Sequence, residues 1–113
     1  MTFDDLLTRK PTLEWKERMD DDDFFTEENI EETSVVLDDY VVSLKRLNHP
    51  ADEDILSCVE KVVLQLNDLN EEHDYFIETV EREELYEFIT EAAKLAGLHI
   101  DEDEDITEEW REW

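Results

Sequence analysis

The sequence predicts an all-α domain: an antiparallel bundle of three long amphipathic helices, with short helical segments at both ends packed on its side. Three observations carry this. Apolar residues recur at 3–4 spacing over three long stretches, Thr2 and Thr79 stand where helix caps belong, and the single Gly and two Pro fall where helices start or stop. At 113 residues the chain has room for one core only, so 1–113 reads as one domain. Within it, 1–25 forms a short helical and acidic N-terminal segment, 26–98 the bundle core, and 99–113 an acidic, Trp-containing tail.

Thr2, followed by Asp4 and Asp5, caps a short first helix with Phe3, Leu6 and Leu7 on its apolar side. Pro11-Thr12 marks a break, after which Leu13, Trp15 and Met19 permit a second short helix. The run Asp20, Asp21, Asp22 and Asp23 resists regular structure through its own repulsion. From Thr26 the pattern strengthens. Ile30, Leu37, Tyr40, Leu44 and Leu47 lie on one stripe, Thr33 fills its polar gap, and Val36 and Val41 widen it. A helix over 27–48 is about 33 Å long at 1.5 Å per residue. The cluster Val35-Val36 and Val41-Val42 also permits a hairpin turning at Asp38-Asp39, although that turn lacks the Gly or Asn that tight hairpins favour.

Pro50 opens the next helix, where Asp52, Glu53 and Asp54 meet the positive end of its dipole. Its stripe of Ile55, Val59, Val62, Leu66 and Leu69 is the most regular in the chain, and it should end near Asn67 to Glu72. A connection from His73 to Ile77 then carries Tyr75, Phe76 and Ile77 inward. Thr79 caps the last long helix, whose inner face is Leu85, Phe88, Ile89, Ala92 and Ala96. Gly97, with Leu98 behind it, suits a left-handed C-cap. Thr107 caps a terminal turn bearing Trp110 and Trp113.

Charge narrows the partners. Asp and Glu number 36 against 10 Lys and Arg, a formal net charge of -26, so nucleic-acid phosphates and anionic membranes repel this chain. A hydrophobic content of 40% is nevertheless too high for a disordered acidic tail. One Cys leaves no internal disulfide and no cysteine-based zinc site. With no apolar run near the roughly 20 residues that span a bilayer, and no basic, apolar leader after Met1, a cytoplasmic domain is expected.

The acids are clustered. Residues 20–39 hold Asp20, Asp21, Asp22, Asp23, Glu27, Glu28, Glu31, Glu32, Asp38 and Asp39 with no base among them. Residues 101–113 hold eight acids and only Arg111. Arg9, Lys10, Lys16 and Arg18 gather near the N-terminus, placed to pair internally with one of these stretches. The pairs Glu27/Glu31 and Glu28/Glu32 form two adjacent ridges on a helix, an arrangement that costs a few tenths of a kcal/mol for each like-charge pair. A solvated, Glu-rich helix face explains any one cluster. The whole chain calls for more, because a net charge of this size adds self-repulsion without structural benefit.

Nothing points to an enzyme or to a cofactor. The chain has no glycine-rich phosphate loop, no Gly-x-Ser-x-Gly and no His-Glu-x-x-His. His49, His73 and His99 fall at connections; His73 stands among Glu71, Glu72 and Asp74, neighbours that chance supplies in so acidic a chain. Cys58 reads as a small core residue rather than a nucleophile. Asp101, Asp103 and Asp105, with Glu109 and Glu112, match the oxygen spacing of an EF-hand loop. Ile106 stands where that loop needs Gly, however, and no exiting helix follows, so these acids are weak metal candidates and no metal site is expected.

The stretch Leu66-Asn67-Asp68-Leu69-Asn70-Glu71-Glu72-His73-Asp74-Tyr75-Phe76-Ile77-Glu78-Thr79, continuing through Glu81-Arg82-Glu83-Glu84-Leu85 to Ala96-Gly97-Leu98, is similar to a group of small acidic helical bacterial proteins. The likeness covers about residues 55–98. It implies a bacterial cytosolic protein and a helix–Thr79–helix arrangement, and it brings no activity or catalytic residue.

The expected function is therefore that of a non-enzymatic binding protein covering a basic surface on a partner protein, such as a nuclease toxin or a nucleic-acid-binding protein. Immunity proteins and nucleic-acid decoys work in this way. The ten acids of 20–39 would face the partner, with Trp110 and Trp113 as apolar anchors unless the tail folds back over the bundle. The alternative is an adaptor that dimerises through a helical face and is charged only for solubility, so monomer and homodimer both stay open. A third reading is a small acid–base or metal-dependent enzyme around His73 or the Asp101 to Asp105 run.

Overall fold

The computed structural model describes residues 2–18, 26–48, 50–73, 75–100 and 105–113, and among these every regular element is an α-helix. Five helices follow in chain order: α1 (Phe3–Leu7), α2 (Pro11–Arg18), α3 (Glu27–Lys45), α4 (Asp52–Glu72) and α5 (Thr79–Ala96). Asp20, Asp21, Asp22, Asp23, Asp101 and Asp103 lie outside the described residues.

Reciprocal caps start two of the helices. The Thr2 hydroxyl accepts the Asp5 N–H at 3.2 Å while the Asp5 carboxylate accepts the Thr2 N–H at 3.1 Å. Thr26 and Asn29 do the same at the start of α3. Helix α3 then runs unbroken through both valine pairs, so the hairpin at Asp38-Asp39 does not form. The helical period explains why: Ile30, Thr33, Leu37, Tyr40, Val41 and Leu44 are all buried on one stripe, whereas Val35 and Val42 face outward. The helix stops at Lys45, three residues short of the expected end. Helix α4 starts at Asp52 with Ala51 as its N-cap, so Pro50 precedes the helix, and the Asp54 carboxylate accepts the Ala51 N–H at 3.0 Å.

The α4–α5 link departs from expectation in two ways. Tyr75 has φ 61 and is 64% exposed, so it points away from the core while Phe76 and Ile77 go in. A left-handed residue at that point reverses the chain, and it costs a non-glycine residue about 1 kcal/mol or more. Thr79 is the first helical residue rather than the cap; Glu78 occupies the cap position without a side-chain bond. Asn70 holds the link in their place, its side chain accepting the Ile77 N–H at 2.9 Å and its carbonyl the Tyr75 N–H. At the other end of α5 the chain behaves as expected. Gly97 is left-handed at φ 110, the Leu98 N–H bonds back to the Ala93 carbonyl at 3.0 Å, and Leu98 is buried.

Helices α3 and α4 share the most extensive contact and run in opposite directions. His73, just past the end of α4, meets Glu32 near the start of α3, whereas Cys58 and Val62 line a small cavity with Tyr40 and Ser43 further along α3. Helix α5 packs on all four other helices, and the Tyr40 hydroxyl donates to the Ile89 carbonyl at 2.8 Å. Leu13 of α2 is exposed, but Trp15 is fully buried and meets Phe76 edge-on at 6.1 Å, so α2 supplies one of the largest core side chains.

Candidate functional site

Helix α3 opens with Glu27, Glu28, Glu31 and Glu32, and the structure sends the two ridges to different places. Glu27 and Glu31 stand in solvent. Glu28 and Glu32 turn toward His73, whose Nε2 lies 2.5 Å from Glu32 Oε2; a donor oxygen of Glu28 completes a trio with all three atoms within 4.8 Å of one another. The imidazole is largely buried and is held edge-on against the Phe76 ring at 6.1 Å. Its sequence neighbours Glu71 and Glu72 are exposed, so the acids it meets come from another helix.

Because α3 and α4 run oppositely, the first turns of α3 and the last turn of α4 share one end of the molecule. Asp68, Glu71 and Glu72 are exposed on α4 there, beside Glu27, Glu28 and Glu31. Neither 19–44 nor 62–81 contains a Lys or Arg. Two base-free stretches are thus brought to the same end, a juxtaposition that composition alone does not reveal.

The remaining predicted acids have other surroundings. Asp38 is half-buried and accepts Lys10 Nζ at 2.8 Å, with Ser34 Oγ also 2.9 Å from that ammonium. Lys10 thereby realises the internal pairing expected of the N-terminal bases. Asp39 is exposed. The tail folds back: Trp110 and Trp113 are half-buried against the core, and neither projects as a free anchor. Asn67 fixes them in place. Its amide donates to the Trp110 carbonyl at 2.8 Å and its oxygen accepts the Glu112 N–H at 3.0 Å. Asp105 accepts the Thr107 N–H at 2.9 Å, the Thr107 hydroxyl at 2.5 Å and Arg111 at 3.0 Å. Asp105 therefore caps the terminal turn that Thr107 was expected to cap, and its oxygens are committed there rather than to a metal.

Asn67→Ala is expected to cost about 1–3 kcal/mol, because both tail backbone groups lose their partner. Trp emission should shift toward that of solvated indole, while far-UV circular dichroism keeps its helical signal.

One further feature escaped the sequence reading. An open cleft of about 520 Å³ lies between α5 and the N-terminal helices, with Leu6 and Phe88 in its apolar wall, Glu84, Glu87 and Glu91 in its acidic wall, and Arg9 beside them. The 3–4 spacing of those glutamates on α5 was visible; the facing wall was not. Cys58 is half-buried, and burial pushes its thiol above the usual range, with Lys61 lowering it and Asp54 raising it. It is held as the neutral thiol, a poor nucleophile.

No helix of the described residues is long and apolar enough to cross a membrane. No protein-family model, curated protein or solved structure matches the chain.

Proposed function

We propose that this chain is a non-enzymatic acidic binding protein that covers a basic surface of a partner protein, as immunity proteins and nucleic-acid decoys do. One observation carries the reading: exposed acids from the start of α3 and the end of α4 lie at one end of the molecule, with no Lys or Arg in either stretch. Helices hold these carboxylates in fixed rows, so docking needs little ordering of the surface, and the field of so many like charges steers a basic partner in. The frame is an antiparallel bundle of α3, α4 and α5; the opposite run of α3 and α4 and the contacts of α5 with both support it. The cleft beside α5, acidic on one wall and apolar on another, suits a partner Lys or Arg, whose aliphatic stem and cationic head need both.

The test is a low-salt pull-down from lysate of the source cells, eluted by rising salt, with duplex DNA as competitor in a parallel run. A single basic protein retained above background and displaced by DNA supports the reading. With that partner in hand, the double variant Glu27→Lys/Glu31→Lys should slow association about tenfold or more at low salt, with a smaller change in dissociation. A smear of all basic proteins leaving at modest salt overturns it. The adaptor reading would then lead. The exposed residues Val35 and Val42, one heptad apart on α3, are its candidate seam, and a concentration-dependent mass in sedimentation its support.

A further inference from the structure

We propose that Glu28, Glu32 and His73 form a binding site for one transition-metal dication of the zinc type. The inference stands apart from the partner reading, since it concerns the isolated chain.

Three ligand atoms of two chemical kinds, from the start of α3 and the C-cap of α4, with Glu32 and His73 separated by 41 residues in sequence, lie within 4.8 Å of one another. Around a tetrahedral zinc with bonds near 2.1 Å, ligand atoms sit about 3.4 Å apart. Small side-chain rotations close the wider separations and open the 2.5 Å contact of His73 Nε2 with Glu32, in which a proton holds the place a metal would take.

The donor set selects the ion. An imidazole nitrogen with two carboxylates suits zinc and its first-row neighbours, whereas Ca²⁺ and Mg²⁺ prefer oxygen alone. The imidazole is also pre-positioned. Its side chain is 13% exposed, Phe76 backs the ring, and its backbone N–H is tied to the Leu69 carbonyl at 3.0 Å. Only the carboxylates have to adjust, and they sit on the paired i, i+4 rung of α3.

The electrostatics agree. His73 caps the C-terminal end of α4, where unpaired carbonyls favour a cation. The start of α3 opposes this, but two carboxylates outweigh a half-charge of helix dipole. Three protein ligands leave a coordination position open, and Glu28, the exposed member, marks the solvent side. A bound ion would clip the start of α3 to the end of α4. It would also take Glu28 and Glu32 out of the acidic docking surface and leave Glu27 and Glu31 on it.

The test is calorimetric titration of the full chain, stripped with EDTA, with Zn²⁺, and separately with Mg²⁺, alongside visible spectra with Co²⁺. The expected result is one saturable Zn²⁺ site per chain, no matching Mg²⁺ site, and Co²⁺ d–d absorption that Zn²⁺ displaces. His73→Gln and Glu32→Gln should each weaken Zn²⁺ binding about tenfold or more, since even outer-shell partners cost that much. Asp105→Asn should leave it unchanged. Far-UV circular dichroism confirms that each variant is folded; if Glu32→Gln is not, Glu28→Gln, on an exposed side chain, replaces it. Many weak Zn²⁺ sites unaffected by His73→Gln, or equal Zn²⁺ and Mg²⁺ binding, would overturn the proposal. Loss of partner binding at Glu27 and Glu31 would leave it standing.

Discussion

Trp15→Ala is expected to remove about 3–5 kcal/mol of stability, the range for truncating a buried aromatic. Set against the roughly 5–15 kcal/mol that holds a small domain together, that is enough to bring a chain at the lower end close to its unfolding midpoint. The side chain is 0% exposed and stacks its edge on Phe76, which is also fully buried, so truncation leaves a cavity at the point where α2, the α4–α5 link and α5 converge. Helix α2 is only eight residues long and has little stability alone, so without its anchor it should detach rather than collapse into the gap. Urea unfolding followed by circular dichroism measures the loss. Trp15→Phe, which keeps an aromatic ring in the site, should cost less than half as much. A loss below about 1 kcal/mol for the alanine variant would mean that α2 only covers the core.

That residue shows where the sequence was legible and where it was not. The long helices announced themselves because a stripe repeated over five or six turns leaves no other period that fits, and because Thr2, Thr26 and Gly97 mark helix ends by chemistry that is local to the chain. A two-turn helix has too few repeats to show which side faces in, so Leu13 and Trp15 looked equivalent when only Trp15 is buried. Tyr75 defied the pattern for a backbone reason: its left-handed conformation turns the side chain out of a run that reads as uniformly apolar. Thr79 has the chemistry of a cap, but Asn70, nine residues upstream, already anchors the link.

The same division runs through the candidate surface. The acid count was plain and the antiparallel run of α3 and α4 was expected; that the two together bring the acids of 27–31 beside those of 68–72 at one end becomes visible only in the fold. His73 drew notice through Glu71, Glu72 and Asp74; Asp74 lies outside the described residues, and Glu71 and Glu72, one and two residues back along the last turn of α4, do not face the imidazole. The carboxylates it meets are Glu28 and Glu32, whose i, i+4 spacing was read as a ridge facing a basic partner and not as a pair turned toward an imidazole. Trp110 and Trp113 looked like anchors because the tail is acidic; the Asn67 side chain, toward the C-terminal end of α4, is what draws them down.

Alkaline solution should expose the one strongly perturbed hydroxyl. Burial pushes the Tyr40 phenol far above its ordinary ionisation near 10, with the Cys58 thiol adding to the effect, and its O–H is donated to the Ile89 carbonyl at 2.8 Å. The folded chain therefore keeps this proton where the unfolded chain loses it. Above about pH 10 the folded state binds more protons than the unfolded state, so stability falls as pH rises, approaching about 1.4 kcal/mol per unit from this one group. Below that pH the contribution is complete and flat. Tyr40→Phe inverts the comparison. At neutral pH it should cost about 1 kcal/mol for the lost hydrogen bond. It also removes the alkaline penalty, so the difference between the two proteins should shrink above pH 10 and change sign near about pH 11. Lysine deprotonation and general self-repulsion are common to both chains and cancel in that difference. Urea midpoints for both proteins at intervals from pH 7 to 11.5 provide the measurement. Parallel curves across that range would mean that the phenol ionises as readily inside the fold as outside it, and that the contact between α3 and α5 is open to water.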